Sequence, residues 1–520
     1  MRRALLPLLL AWLGAARVAA AAPSLPEAER ALDAWDVPRA AQLAEALLAD
    51  RPNDPRILHL LGRVRHHQGR YEEAAEIFRR LGDEDWIRLA EETHAVVRNH
   101  RRVESAHFVF LFPPGKDEIL APWALETLEA SWERIGRLLG IQPEGEKIRV
   151  EVVQSAEELA KVSTLSIEAI RTTGTIAVCK FDKLMVTSPK ALLRGYEWRD
   201  TLAHEYIHLL VTRKSKNRTP IWLHEGIAKY FETAWRDAPG GALHPGAQAL
   251  LRDAVKEDRL ITFDAMHPSI ALLPTARDAA LAFAEVFTAI EFLEGEAAGN
   301  VSRLLDALAT GQSDREAVAA VYGKPFPLFE AAWRRHLQRR EYPTESAIAE
   351  EVRPRFREAG EDEPTELSAF RSIEDPEARK AAHLGELLRA RGKLGAAAAK
   401  FERAFERIGA KHAPLANKYA ITLLALEQAD RALEVLEASH ALDPSDALTN
   451  LNLARALMQK GNAPRARPFL EGSLSVNPFD PELHHRLFLV ARATGDGELE
   501  ARARRAIELL GGRPPAGGDP

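Results

Sequence analysis

The sequence predicts an α+β domain, a small mixed sheet followed by a helical half, set between all-α repeats. Three observations predict it. Small and aromatic residues recur at a 34-residue interval near both ends, short alternating apolar runs fall between residues 105 and 187, and helix-period patterning alone continues to about residue 340. The chain has 520 residues, 46% hydrophobic and 28% charged, an ordinary globular balance with room for two to four compact units. A net charge of −6 provides no basic field, so no nucleic-acid partner is expected.

Arg2 and Arg3 precede an apolar run from Ala4 to Gly14, and the small residues Val18-Ala19-Ala20-Ala21-Ala22 follow. A charged start, an apolar middle and a small-residue site together make an export signal over residues 1–21, cut after Ala20 or Ala21. The apolar run is short for a membrane span and Arg17 interrupts it, so no stable span is expected. The expected location is periplasmic or secreted, with an N-terminal membrane anchor only if the segment stays uncleaved. The single cysteine, Cys179, excludes an intramolecular disulfide framework and is expected to be a buried structural thiol.

After the signal, Leu58, Leu61, Gly62, Gly69, Tyr71, Ala74 and Phe78 follow the spacing of a 34-residue tetratricopeptide repeat (TPR), with Ala40 one period before Ala74. Small residues at Gly62 and Ala74 let two helices approach closely. Residues 25–100 are therefore expected to form N-terminal TPR-like helical repeats. The pattern returns over 379–510, where Gly385, Ala397 and Phe401 make one unit and Ala432/Ala466 and Pro444/Pro478 recur at one fixed offset. Such units stack into a superhelix whose concave face binds a protein partner. Between them, residues 341–378 carry Pro343, Pro354, Pro364 and Pro376 and read as a linker, and residues 511–520 read as a disordered tail.

The middle segment, 105–340, begins with strand-like runs at His107–Phe112 and Lys147–Val153, separated by a helix-period stretch from Leu120 to Leu139. Gly174 to Thr187 reads as two short strands turning near Asp182. Residues 198–212, WRDTLAHEYIHLLVT, then form an apolar helix holding His204, Glu205 and His208. Residues four apart differ by about 40° in direction, so both imidazoles reach one metal ion from the same face. Glu205 points about 100° from His204, beside the ion without being a ligand, where a carboxylate can take a proton from bound water. With 17 histidines in the chain, His-Glu-x-x-His arises by chance about once in twenty such sequences, so the next segment carries the weight.

That segment is Pro220-Ile221-Trp222-Leu223-His224-Glu225-Gly226-Ile227-Ala228-Lys229-Tyr230-Phe231-Glu232. A helix starting near Trp222 and running back beside the first brings Glu225 toward the histidines as a third ligand, leaving one position for water, as catalytic zinc requires. His224 is the competing ligand, and it points about 100° from Glu225, so both cannot aim at one ion. Glu232, two turns on, is a candidate for orienting a ligand histidine from behind. Arg213, Lys214, Lys216 and Arg218 read as a solvated basic loop between the two helices.

HEYIH followed by PIWLHEGIAKYFE resembles the gluzincin metallopeptidases of the peptidase MA-like group, with their HExxH and W-x-x-E-G-x-A pattern. Ala282–Leu293 and Val321–Leu337, ending in F-E-x-x-W, resemble the helical half that closes such zincin-like domains. The resemblance covers about residues 105–340. It implies one Zn2+ per chain on His204, His208 and Glu225, with Glu205 as catalytic base, in an exported peptidase fused to TPR repeats. It also implies an edge strand that pairs with an extended peptide substrate, for which Thr175, Ile176, Ala177 and Val178 are the candidates. One departure is Phe283, where these domains often place a tyrosine; Tyr206, Tyr230 and His267 are the remaining donors for the oxyanion, and the role is unassigned.

The reading that follows is an exported zinc metallopeptidase whose repeats hold a protein substrate or partner. Two others compete with it. One is a peptidase-like TPR scaffold without turnover, which normally loses a ligand or the base first, whereas all four residues are present here. The other is a zinc amidase acting on cell-wall peptides.

Overall fold

The computed structural model describes residues 23–241, 243–342, 355–357 and 368–515. The expected export signal, most of the linker and the last five residues of the tail lie outside the described residues.

Five helices come first: α1 (Leu25–Asp33), α2 (Val37–Asp50), α3 (Pro55–His67), α4 (Tyr71–Leu81) and α5 (Glu84–Val97). Ser24, Asp36, Asp54 and Asp83 accept hydrogen bonds from first-turn amides, so each cap satisfies a donor the helix itself leaves open. Gly62 explains the close pairing of α3 with α4. A Cβ on it would lie 2.7 Å from the Phe78 ring.

The sheet follows, with β1 (Arg101–Glu104), β2 (Phe108–Phe112), α6 (Leu120–Leu139), β3 (Ile148–Val153), α7 (Ala156–Ser163), α8 (Ile167–Thr173), β4 (Ala177–Lys180) and β5 (Lys183–Thr187). The strand order is β1-β2-β3-β5-β4, with β2, β3 and β5 parallel and the two edges antiparallel to their neighbours. The β4–β5 connection is two residues, Phe181 and Asp182, with φ of 57° and 59°. That is the backbone of a tight hairpin whose twist matches its strands. All five residues of β2 and of β5 are buried.

Helices alone form the second half: α9 (Trp198–Ser215), α10 (Ile221–Phe231), α11 (Pro245–Lys256), α12 (Ala276–Glu296), α13 (Asn300–Ala309), α14 (Asp314–Tyr322) and α15 (Phe326–Arg339). The Trp333 indole of the F-E-x-x-W segment donates to Thr288 Oγ1 at 3.1 Å, fastening α15 to α12. Among the few described linker residues, Leu193 N–H donates to Arg355 O and Arg357 N–H to Ala191 O, so this stretch runs along the domain as a short bridge and Phe356 packs beneath the sheet.

The C-terminal array comprises α16 (Pro376–Ala390), α17 (Leu394–Ile408), α18 (Ala413–Ala425), α19 (Ala429–Leu442), α20 (Ala447–Gln459), α21 (Ala463–Val476), α22 (Pro481–Thr494) and α23 (Gly497–Leu509). Gly385 meets Phe401 as Gly62 meets Phe78, with a Cβ 2.8 Å from the ring, so the same sixteen-residue pairing recurs in both arrays. α16–α19 hold a core of their own, but the core of α20–α23 is continuous with that of the middle domain. Trp198 Nε1 at the start of α9 donates to Leu474 O at 3.0 Å, and Tyr196 N–H to Val476 O at 3.3 Å. Among the described residues no helix is long and apolar enough to cross a membrane.

Candidate metal centre

α9 runs through the middle of the domain. Leu202, Ala203, Tyr206, Ile207, Leu209, Leu210 and Val211 are at most 1% exposed, so the helix is apolar nearly all round, as a fully buried helix must be. One stripe differs. His204 and His208 sit on it, half-buried, with Nε2 atoms 3.1 Å apart.

α10 lies against this stripe. Trp222 fixes its start, 1% exposed and donating from Nε1 to Asp314 at 2.8 Å. Gly226 lets α12 come close, because a Cβ there would sit 2.8 Å from Val286 O. Held so, Glu225 turns Oε2 toward both histidines, 3.6 Å from His204 Nε2 and 3.8 Å from His208 Nε2. The three atoms form a triangle of 3.1, 3.6 and 3.8 Å. Tetrahedral ligands about 2.0–2.2 Å from one zinc ion stand about 3.3 Å apart, so these residues can hold such an ion together. Two imidazoles and a carboxylate are also the donor set that suits zinc over calcium or magnesium.

His224 is turned elsewhere. Its Nδ1 lies 3.2 Å from Nδ1 of His208, behind that ring, so it supports His208 and does not face the triangle. Glu232 takes the matching place behind His204, with Oε2 at 3.0 Å from Nδ1, while its other oxygen pairs with Lys229 at 2.6 Å. Each histidine thus has its outer nitrogen held and its inner nitrogen free for the centre.

The groups polarise one another. Burial lowers the basicity of His204, but hydrogen bonds to Glu225 and Glu232 outweigh it and raise its pKa to about 10. Burial takes His208 down to about 3 and His224 to about 4. For Glu225 burial acts upward, yet the adjacent imidazoles, His208 and His204 foremost, bring it to about 2. The triangle therefore favours an ionised carboxylate and a neutral His208, both ligand forms.

Glu205 is 5% exposed and faces the sheet. Burial pushes its pKa up to about 7, opposed by the His204 charge, reinforced by Glu225 and opposed least by the nearby Cys179 backbone N–H. Cys179 lies on β4, the sheet edge. Ile176 O accepts from Thr187 N–H, and the register pairs Val178 with Met185 and Lys180 with Lys183. Alternation then leaves the amides of Ala177 and Cys179 on the free side. Of the four candidate strand residues, Ala177 and Val178 open β4, whereas Thr175 and Ile176 precede it. Cys179 itself was not among the candidates, although the two-residue turn, once placed, fixes which amides are free. Its half-buried thiol is unpaired in any disulfide, and burial raises its pKa well above the ordinary value.

The basic-loop reading is corrected for Arg213, Lys214 and Arg218, while Lys216 is exposed. α9 continues to Ser215, and Arg213 is clamped to Asp182 by two hydrogen bonds of 2.9 and 2.7 Å. Lys214 reaches Ser302 Oγ at 2.8 Å and Arg218 reaches Ala309 O at 3.1 Å, so these cations join elements of the domain. Of the remaining donors, Tyr206 is fully buried against Phe108, Tyr230 packs on Phe231 and Phe287, and His267 lies 3.6 Å from Asp314. Phe283 is 38% exposed on α12.

Residues 136–339, which contain every residue of this centre, match the family model described as the Peptidase MA superfamily. The middle of the chain is a Peptidase MA domain. Two tetratricopeptide repeat models match on either side of it, at residues 31–86 and 423–487. No curated protein matches the chain. Among solved structures, a MamA RS-1 ArsTM double mutant is 20% identical, with 28% of this chain and 81% of that one covered and a TM-score of 0.25. TTC0263, a thermophilic TPR protein of Thermus thermophilus, is 25% identical, with 26% and 72% covered and a TM-score of 0.23. The APC/C hetero-tetramer Cut9-Hcn1 is 15% identical, with 93% and 78% covered and a TM-score of 0.27. At these scores the likenesses carry nothing about the Peptidase MA domain or its chemistry.

Proposed function

We propose that the protein is an exported zinc metallopeptidase that hydrolyses peptide bonds with Glu205 as general base. One observation carries the reading: the triangle of His204, His208 and Glu225, with Glu205 beside it under the free edge of β4. A zinc ion held by these three residues would supply Lewis acidity toward a peptide carbonyl and toward water at the same centre. Glu232 and His224 orient the two imidazoles. The amides of Ala177 and Cys179 offer backbone pairing to an extended peptide, a mode that reads shape more than side chains. Glu205, with its pKa lifted to about 7, is matched to accepting a proton from the attacking water at Oε and delivering it to the leaving amine.

The repeats fit binding of a protein substrate or partner along their concave face. Export rests on Arg2, Arg3 and the apolar run to Gly14. The test is Glu205→Gln in the full-length protein. It should keep about one zinc per chain and lose cleavage of a denatured protein by about 10²–10⁴-fold. Undiminished cleavage removes the base assignment, and wild-type protein that holds zinc yet cleaves nothing leaves the scaffold reading.

A further inference from the structure

The β4–β5 hairpin carries an unfavourable turn. Left-handed backbone at both central positions suits asparagine, aspartate and glycine, yet Phe181 takes the first at φ 57°, before Asp182 at φ 59°. For a bulky side chain such a conformation is an outlier that the surroundings must enforce. Here the surroundings come from another part of the chain. The Phe181 ring is 8% exposed, and the N-terminal repeats enclose it. Its centroid lies 4.8 Å from that of His66, 5.5 Å from His67 and 6.0 Å from Trp86, all edge-on. The strained turn thus aims an aromatic plug into a socket built on α3 and α5.

The rest of this seam is less closed. A cavity of about 570 Å³, lined among others by Trp35, Arg70, Arg149 and Asp182, separates the first repeat from the sheet. Besides the plug, the main tie is a buried cluster in which Tyr71 of α4 meets Lys183 at 2.7 Å and Glu151, and Lys183 meets Glu151 at 2.7 Å. The tip of the hairpin lies two residues from Cys179, whose backbone N–H is on the free side of β4 near Glu205.

We infer that Phe181 is a positioning residue, and that the N-terminal repeats, by gripping it, hold the edge strand where the free amides of Ala177 and Cys179 can meet an extended peptide beside Glu205. The inference rests on the peptidase reading for its catalytic part only. The N-terminal repeats are then coupled to the working cleft through the hairpin tip, next to the buried Tyr71–Lys183–Glu151 tie.

The test uses the full-length protein, metal-free and zinc-loaded. Phe181→Asn gives the turn a residue it prefers and removes the plug, so a purely local role predicts a steadier hairpin and a docking role a looser one. Trp86→Ala empties the socket from the repeat side, far in sequence from the strand. Both variants should raise amide hydrogen exchange over Val178–Lys180 about tenfold, the double variant no more than either alone, and Phe181→Leu should restore most of the protection. In zinc-loaded protein with unchanged metal content, KM for a long peptide should rise roughly fivefold while kcat changes less. Wild-type or slower exchange in Phe181→Asn overturns the inference whatever the assay shows. Faster exchange with unaltered KM and kcat overturns the catalytic part. Absence of hydrolysis by wild type sinks the peptidase reading instead, and the exchange comparison in metal-free protein still decides whether the repeats position the strand.

Discussion

Glu232 Oε2 lies 3.0 Å from His204 Nδ1, on the far side of the ring from the nitrogen that meets Glu225. The carboxylate fixes both the tautomer and the swing of the ring. Glu232→Ala is therefore expected to weaken zinc affinity by about 10–100-fold, with turnover near wild type once zinc is saturating. Competition with a chelator of known affinity measures it. Unchanged affinity would show that Glu232 serves only Lys229.

Glu225 and His224 are adjacent, and only Glu225 faces the histidine pair. Glu225→Ala is expected to purify with little zinc, and His224→Ala with close to one equivalent bound more loosely. Metal analysis of the two proteins side by side checks this. The reverse ranking would exchange their roles.

Gly226 sits where α10 crosses α12, and an added Cβ meets Val286 O at 2.8 Å and Ile290 Cγ1 at 2.9 Å. The first is backbone and cannot swing aside. Gly226→Ala should destabilise the protein by roughly 1–3 kcal/mol and also weaken zinc binding, because Glu225 moves with its neighbour. Thermal unfolding with and without zinc reads both effects. An unshifted Tm would mean that the two helices part freely.

Glu285 on α12 is fully buried; Oε1 accepts from Ile261 N–H, and Oε2 has no hydrogen-bond partner among the described residues. Burial lifts its pKa from 4.5 to about 8. The folded state thus holds this proton more tightly than the unfolded state. Its stabilising contribution is full below pH 4.5 and is lost as pH rises through about 8. Replacing the acid by an amide removes that dependence. The Tm of Glu285→Gln minus that of wild type should grow between pH 5 and pH 9, by an amount worth at most roughly 4 kcal/mol. A difference that stays flat with pH would show that the carboxyl is not protonated in the folded protein.

The part of this molecule that could be read from the chain is the part written in local spacing. The four-residue interval between His204 and His208 implies a shared face, and Gly62/Phe78 and Gly385/Phe401 announce helices that touch. What escaped depends on distant partners. Arg101-Arg102-Val103-Glu104 has no apolar alternation and is a strand only because β2 offers its edge. Arg213 looked solvated because Asp182, which clamps it, lies 31 positions earlier. Cys179 gave no sign of lying near Glu205, since that approach is through its backbone.

The hydrogen bond from Trp198 to Leu474 spans 276 positions and ties the first turn of the helix with the histidine pair to the repeats at the far end of the chain. Leu470, Leu474, Leu483 and Leu487 belong to the same apolar mass as Leu202 and Ile207. Trimming the gene to residues 136–339 would therefore leave an oily wound beside the histidines, and such a fragment should precipitate on expression. An array borrowed from a relative would arrive without the surface that seals this helix. Beads on a string in sequence, the last repeats and the Peptidase MA domain form one body.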